Sequence, residues 1–241
     1  MRDKRNSSTH PPLPPTSEED RVSWLRLLRS RRVGIATFYR LLDAHGSAQA
    51  ALGALPALAK QAGVENYAPC PPDVASQEMK AGRKAGGRLV FAGSAAYPER
   101  LYDLADAPPF FWIKGQVEIL SSPTIAIVGA RNASSLGTRM ARKLAQDLGD
   151  AGYSVVSGLA RGVDTASHVG SLKTGSIAVL AGGIETIYPA ENAELAKNIL
   201  DAGALISEQP VGLVAQARHF PMRNRLISGL AQAVVVIEAA T

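Results

Sequence analysis

Two arginines stand at equivalent places in this sequence, each just beyond a short run of β-branched residues that breaks at a glycine. Arg131 closes Thr124-Ile125-Ala126-Ile127-Val128-Gly129-Ala130, and Arg161 closes Tyr153-Ser154-Val155-Val156-Ser157-Gly158-Leu159-Ala160 ahead of Gly162-Val163-Asp164. A third basic group, Arg223 and Arg225 around Asn224, opens a helical stretch after Phe220-Pro221-Met222. Uncapped N–H groups at a glycine turn, joined by a guanidinium, suit an anion that is held rather than cleaved. Gly129 supplies a close turn, Ser134 or Ser135 an N-cap, and Gly137 room for tight helix packing. Basic residues in the first turns of a helix oppose its macrodipole, so a bound anion near Arg223 and Arg225 relieves a local cost. Asp164 has the place of an N-cap for the helix that follows.

Several better-known chemistries are disfavoured. The turn after the first strand lacks three glycines at G-x-G-x-x-G spacing, and no acidic residue ends the second strand to take a ribose. No G-x-x-x-x-G-K-[ST] loop is present, so no nucleotide cofactor is expected. Gly182-Gly183 closes a third strand, but Ile184-Glu185-Thr186 breaks the run typical of nucleotide-monophosphate phosphoribohydrolases. A nucleotide or nucleotide-sugar hydrolase using His168 or Glu208 as base is the alternative reading. His168 has no cysteine or carboxylate partner in sequence, and a lone helical histidine is more often a structural hydrogen bonder. A plain interaction scaffold is a third reading.

The elements that carry these residues alternate. Strands are predicted near 124–128, 153–157, 176–180, 204–206 and 233–238, and helices near 135–150, 163–173, 191–201 and 222–230. Apolar strands without alternation are buried on both faces, which points to a doubly wound, mostly parallel Rossmann-like α/β sheet. Ligands of such sheets gather beyond the carboxyl ends of the strands. Before this domain (124–241) the sequence divides into a proline-rich lead-in (1–17), a small all-α module of the helix-hairpin-helix or sterile-alpha-motif kind (18–72), and a connector (73–123). The connector holds a polar helix over 75–85, a strand over 88–91, and an aromatic run, Phe110-Phe111-Trp112, read as core in a strand that adds to the main sheet. The last strand has no covering helix after it, and the natural protein is expected to continue.

Of 241 residues, 46% are hydrophobic and the net charge is +5. That excess lies in the first forty residues, and the remainder holds 17 basic and 17 acidic side chains. An anionic partner must therefore be argued from individual positions, not bulk charge. The single cysteine, Cys70, gives no intramolecular disulfide. The N-terminus has no apolar signal core and no run reaches membrane-spanning length, so the expected address is the cytoplasm, without membrane contact.

Taken in order, Val128-Gly129-Ala130-Arg131, Ser157 to Asp164, His168, Gly182-Gly183, Tyr188-Pro189, Ser207-Glu208 and Phe220 to Arg225 resemble the DNA-processing protein A family (DprA, also called Smf). The resemblance covers the whole chain. It implies a bacterial cytoplasmic protein without a catalytic step that binds incoming single-stranded DNA during natural transformation. Such a protein displaces single-strand-binding protein and loads the RecA recombinase, commonly as a homodimer. It also implies a basic DNA pocket at the carboxyl edge of the sheet. The candidate DNA-binding residues are Gly129, Arg131, Ser134, Gly137, Gly158, Arg161, Gly182, Arg223, Asn224 and Arg225, with no metal. The sequence departs from the family in lacking a Ser-Gly-Ser-type loop and a winged-helix module after the last strand.

Overall fold

The computed structural model describes residues 12–239, so most of the expected lead-in lies outside the described residues. Four helices come first: α1 (Glu18–Arg29), α2 (Ile35–His45), α3 (Ala48–Gln61) and α4 (Pro72–Lys84). Their ends follow local chemistry. The Ser17 hydroxyl accepts from the Asp20 N–H while the Asp20 carboxylate accepts in return from Ser17, a capping box that starts α1. Gly46 adopts the left-handed conformation that ends α2, and Ser47 caps α3. Arg29 grips Glu78 through two hydrogen bonds of 3.0 and 2.9 Å, fastening α1 to α4. Gly82 lets α4 lie on the indole of Trp112, since a Cβ there would stand 2.3 Å from the ring.

The sheet has seven strands in the order β1-β2-β6-β5-β4-β3-β7. Its members are β1 (Arg88–Phe91), β2 (Phe110–Gly115), β3 (Thr124–Gly129), β4 (Ser154–Ser157), β5 (Ser176–Val179), β6 (Ala204–Ser207) and β7 (Ala233–Ile237). β1 pairs antiparallel with β2, and β2 antiparallel with β6 at Trp112 opposite Ser207; β3 to β7 are mutually parallel. The connector strand does join the main sheet, and Phe110, Phe111 and Trp112 are buried in the core as expected.

Strands β4, β5 and β6 are buried at every position. Period-two geometry sends their side chains alternately to two cores. Ala126, Val156, Ile177, Val179 and Ile206 face α8 (His219–Leu230) and the N-terminal helices. On the other face Ile127 and Val155 meet α5 (Ser135–Asp150) and α6 (Val163–Ser171), while Ala178 and Leu205 meet α7 (Ala193–Ile199). The helical module shares the first core: Trp24 stands edge-on to Phe38 at 5.2 Å and to Phe91 at 5.8 Å.

Three predicted helix boundaries move. The polar helix expected over 75–85 already starts at Pro72 as α4. The helix expected over 191–201 is a 3-10 turn, Ala190–Asn192, followed by the shorter α7. Helix α8 starts at His219 with Arg218 as N-cap, three residues ahead of the expected 222. Arg223 and Arg225 therefore sit in its second turn, and the argument that they oppose the macrodipole in the first turns does not hold. Pro221 belongs inside the first turn, where its missing N–H costs nothing, and so did not mark the start.

Candidate nucleic-acid interface

In the parallel part of the sheet β4 lies on one side of β3 and β7 on the other, so the strand order reverses at β3. A crevice opens at such a switch point beyond the strand ends. Gly129 makes the β3 end possible. A Cβ at this position would fall 1.9 Å from the Ile237 carbonyl oxygen and 2.8 Å from a Val163 methyl, so only glycine lets β3 meet β7 and α6. Gly129→Ala should cost about 1–3 kcal/mol through this overpacking. A thermal melt unchanged from the parent protein would contradict that packing.

Past this turn Arg131 is exposed, with its guanidinium carbon 5.1 Å from the centroid of the Phe220 ring. Phe220 also packs against Tyr188, with centroids 5.5 Å apart and planes at 53°. Arg131 forms no ion pair among the described residues. It separates two adjoining hollows. The larger, about 420 Å³, is lined by Gly129, Arg131, Asp164, Arg223, Asn224 and Arg225 among others. The smaller, about 60 Å³, is bounded by Gly158, Arg161, Tyr188 and Pro189, and shares Arg131, Ala160 and Phe220 with the first.

The three arginines of the larger hollow differ in kind. Arg223 is buried and donates to the carbonyls of Gly158 and Val179. Burial draws its pKa down to about 10, with Asp164 acting the other way and Arg131 adding to the fall, so it remains a cation at neutral pH. Gly158 is the residue that admits it, since a Cβ would lie 2.5 Å from the guanidinium carbon. Arg225 is mostly enclosed, binding Asp106 at 2.9 Å and the Glu208 carboxylate. Neither guanidinium is free in the way Arg131 is, which corrects the reading of them as equivalent ligands. Sequence proximity conceals this, because their partners lie on distant elements. Asn224 is exposed beside them, and its side-chain oxygen accepts from Arg223 at 3.2 Å.

The remaining candidates divide. Arg161 is exposed and forms a two-pronged pair with Glu191, both bonds 2.7 Å. Ser134 does cap α5, accepting from the Gly137 N–H at 3.0 Å. The Glu238 carboxylate already occupies that helix start, taking the Ser134 N–H at 2.7 Å and the Ser134 hydroxyl. A Cβ on Gly137 would collide with it at 2.4 Å, and these bonds hold the Glu238 pKa below the usual carboxylate range. Gly182 is buried under the chain at Leu213 and lines neither hollow.

Asp164 is the second helical residue of α6, and Gly162 has the N-cap position, so the expected cap is also corrected. The carboxylate folds back instead to accept from Gly158 and Ala160 at 3.1 and 3.2 Å. Burial raises its pKa, against the pull of Arg223 and these N–H groups. Asn192 braces the same loop, donating to the Leu159 carbonyl at 2.8 Å and to Thr165 at 2.9 Å. Phe220, Tyr188 and Asn192 were not among the sequence candidates. The aromatic pair had a signal of sorts, as each directly precedes a proline.

His168 is completely buried and lines neither hollow; its Nδ1 faces the Ser176 hydroxyl at 2.7 Å. Burial, with Arg223 contributing, lowers its pKa from 6.5 to about 3, so it is neutral in the folded chain. The unfolded chain takes up this proton as pH falls through 6.5, while the folded chain does not until about 3. Its contribution is therefore full above pH 6.5 and is lost on acidification at about 1.4 kcal/mol per pH unit. The raised carboxyls of Asp164 and Glu208 act with the opposite sign, from their ordinary carboxylate range upward. Urea melts at pH 7 and pH 5 should show a smaller stability loss for His168→Gln than for the parent chain. Equal losses would place the titration elsewhere.

Among the described residues no group of three His, Cys, Asp or Glu side chains could hold a metal, and no helix is long and apolar enough to cross a membrane.

The profile of the DNA recombination-mediator protein A family matches residues 88–241, and a DprA-like N-terminal HHH domain matches residues 18–81. Protein Smf of Escherichia coli (strain K12) is 41% identical over 155 residues, covering 63% of this chain and 41% of that protein. The DNA processing protein DprA of Bacillus subtilis (strain 168) is 38% identical over 178 residues, covering 73% of this chain and 59% of that one. The chain thus spans less than two-thirds of these relatives' length. The X-ray structure of DprA from Streptococcus pneumoniae superposes with a TM-score of 0.65 at 33% identity, covering 71% of this chain and 59% of that one. DNA processing protein A from Helicobacter pylori, described for its single-stranded DNA binding mode, gives a TM-score of 0.59 at 26% identity over 64% and 69%. With that profile matching residues 88–241, well over half of its length, the chain belongs to the DNA recombination-mediator protein A family.

Proposed function

We propose that this chain carries the face with which a recombination mediator holds single-stranded DNA, and that it acts by binding, without a catalytic step. The observation that supports this most is Arg131, an exposed guanidinium in no ion pair among the described residues, beside Phe220 at the sheet's switch point and lining two adjoining hollows. In this reading Arg131 binds a phosphate directly, and bases stack on Phe220 or Tyr188. Arg223 and Arg225 keep the hollow positive and shaped, Asn224 and Arg161 reach the strand at its sides, and Gly129 and Gly158 bring the backbone close. Ser134, Gly137 and Gly182 lie at the margin. A duplex presents no unstacked bases to such aromatics, so preference for single strands follows. The relative from Helicobacter pylori is described as binding single-stranded DNA, which supports carrying the same ligand to this chain.

The finer role follows the family resemblance: protection of incoming DNA during natural transformation, displacement of single-strand-binding protein and loading of RecA, by a cytoplasmic homodimer. The hydrolase alternative draws no support from the geometry. His168 is buried away from both hollows, and the Glu208 carboxylate is engaged by Arg225. Fluorescence anisotropy of a labelled oligo-dT strand, at low and moderate salt with duplex competitor, tests the central part. Binding that resists duplex and weakens steeply with salt is expected. No binding at low salt by folded protein, or stabilisation by mononucleotides instead, would count against it.

A further inference from the structure

A further hollow, well apart in sequence from the arginine cleft, lies on the helical module. It has a volume of about 450 Å³ and opens between α2 and α3. Its floor is aliphatic, with Leu41, Leu55, Leu58 and Val64 the larger contributors. Leu58, in the last turn of α3, is 38% exposed. The rim is basic: Arg31, Arg32, Arg40 and His45 stand around it, and among the described residues no carboxylate lines it. The three arginines form no ion pair among the described residues. An aliphatic floor inside an unneutralised cationic rim is complementary to one kind of surface, an apolar ridge flanked by carboxylates.

We propose that this groove docks an acidic amphipathic segment of a partner protein, with two or three apolar side chains on the floor and Asp or Glu on the rim arginines. Nucleic acid fits the groove less well. Binding of single strands relies on aromatic faces for the bases, and among the described residues the groove has a single Phe, Tyr or Trp, Tyr67. That ring carries the Arg31 guanidinium at 5.8 Å from its centroid, and its hydroxyl donates to the Arg31 carbonyl at 2.7 Å. Tyr67 thus aims an arginine at the rim and offers no free platform. A helix of about four turns presents apolar residues at i, i+4 and i+7 along one stripe, the spacing a groove between two helices accepts.

The probe is a set of fluorescein-labelled synthetic peptides of about four helical turns. Each has three leucines at helical spacing among glutamates, and the controls are scrambled and lysine-for-glutamate versions. Fluorescence anisotropy with the full chain should give saturable binding in the micromolar range for the patterned acidic peptides alone. Leu58→Glu and Arg40→Glu should each weaken it about tenfold or further. Both positions are exposed, and matching thermal melts establish that the variants fold. Binding of labelled oligo-dT should be unchanged in both. No saturable binding by any patterned peptide, equal binding of the scrambled one, or indifference to both substitutions overturns the proposal. Loss of oligo-dT binding in the variants would also overturn it, making the groove a nucleic-acid seat.

Discussion

Arg131→Glu is expected to weaken binding of an oligo-dT strand by about 30-fold or further, with the thermal melt unmoved. The substitution removes a charge-assisted phosphate contact and places a like charge beside the strand, a loss of about 2–3 kcal/mol. The melt should hold because Arg131 is exposed and bonded to no carboxylate of the described residues, and such surface positions change stability by about 0.5 kcal/mol. The salt dependence carries independent information. Each lost phosphate contact on a single strand should reduce the slope of log affinity against log salt by about 0.7. Phe220→Ala should cost about 1–3 kcal/mol of affinity through lost stacking while leaving that slope alone. Anisotropy titrations at three salt concentrations separate the two effects. An Arg131→Glu protein that binds like the parent would show the anion site to be elsewhere.

Arg223→Met should behave in the opposite way, lowering stability first. It is only 4% exposed, and its guanidinium satisfies the carbonyls of Gly158 and Val179 in the neighbourhood of Asp164. Methionine fills much of the same volume but leaves those acceptors buried and unpaired and Asp164 without its cation. The cost is about 3–5 kcal/mol, or about 10 °C in melting temperature for a chain of this size. Arg223→Lys should restore part of it, since its ammonium keeps the charge and N–H donors but lacks the planar group whose Nη1 meets both carbonyls while Nε donates to Asn224. Differential scanning calorimetry reads both. A melt within 2 °C of the parent for Arg223→Met, about the effect of an ordinary surface change, would mean that the buried guanidinium does not hold the strand ends together. Any loss of DNA binding by this variant follows from the loosened loop, so Arg131 is the cleaner test of the ligand.

The backbone of the cleft was legible in the sequence because its causes are local. Runs of β-branched residues ending at Gly129 and Gly158 located β3 and β4, and the pair Ser134-Ser135 placed the start of α5, with Ser134 the one that caps it. The charges were legible only as types. Arg131, Arg161, Arg223 and Arg225 look alike in a string of letters, yet their partners come from elsewhere in the fold. Arg225 meets Asp106, over a hundred positions earlier, and Arg223 meets carbonyls at two strand ends. The anion at the α5 start proved to be the chain's own Glu238, brought there by the pairing of β7 with β3. Helix α8 began early because Pro221 is tolerated in a first turn. Composition cannot supply these pairings, since each depends on sheet order.

Where the strand lies can be read directly. The folded chain is bound to an oligo-dT strand, irradiated with ultraviolet light, digested, and its cross-linked peptides mapped by mass spectrometry. If the cleft at the β3–β7 switch point holds single-stranded DNA, adducts concentrate on Phe220 and Tyr188 and diminish in the Arg131→Glu protein. Adducts confined to the helical module, at Tyr67 or its neighbours, with Phe220 and Tyr188 unmarked, would contradict the account.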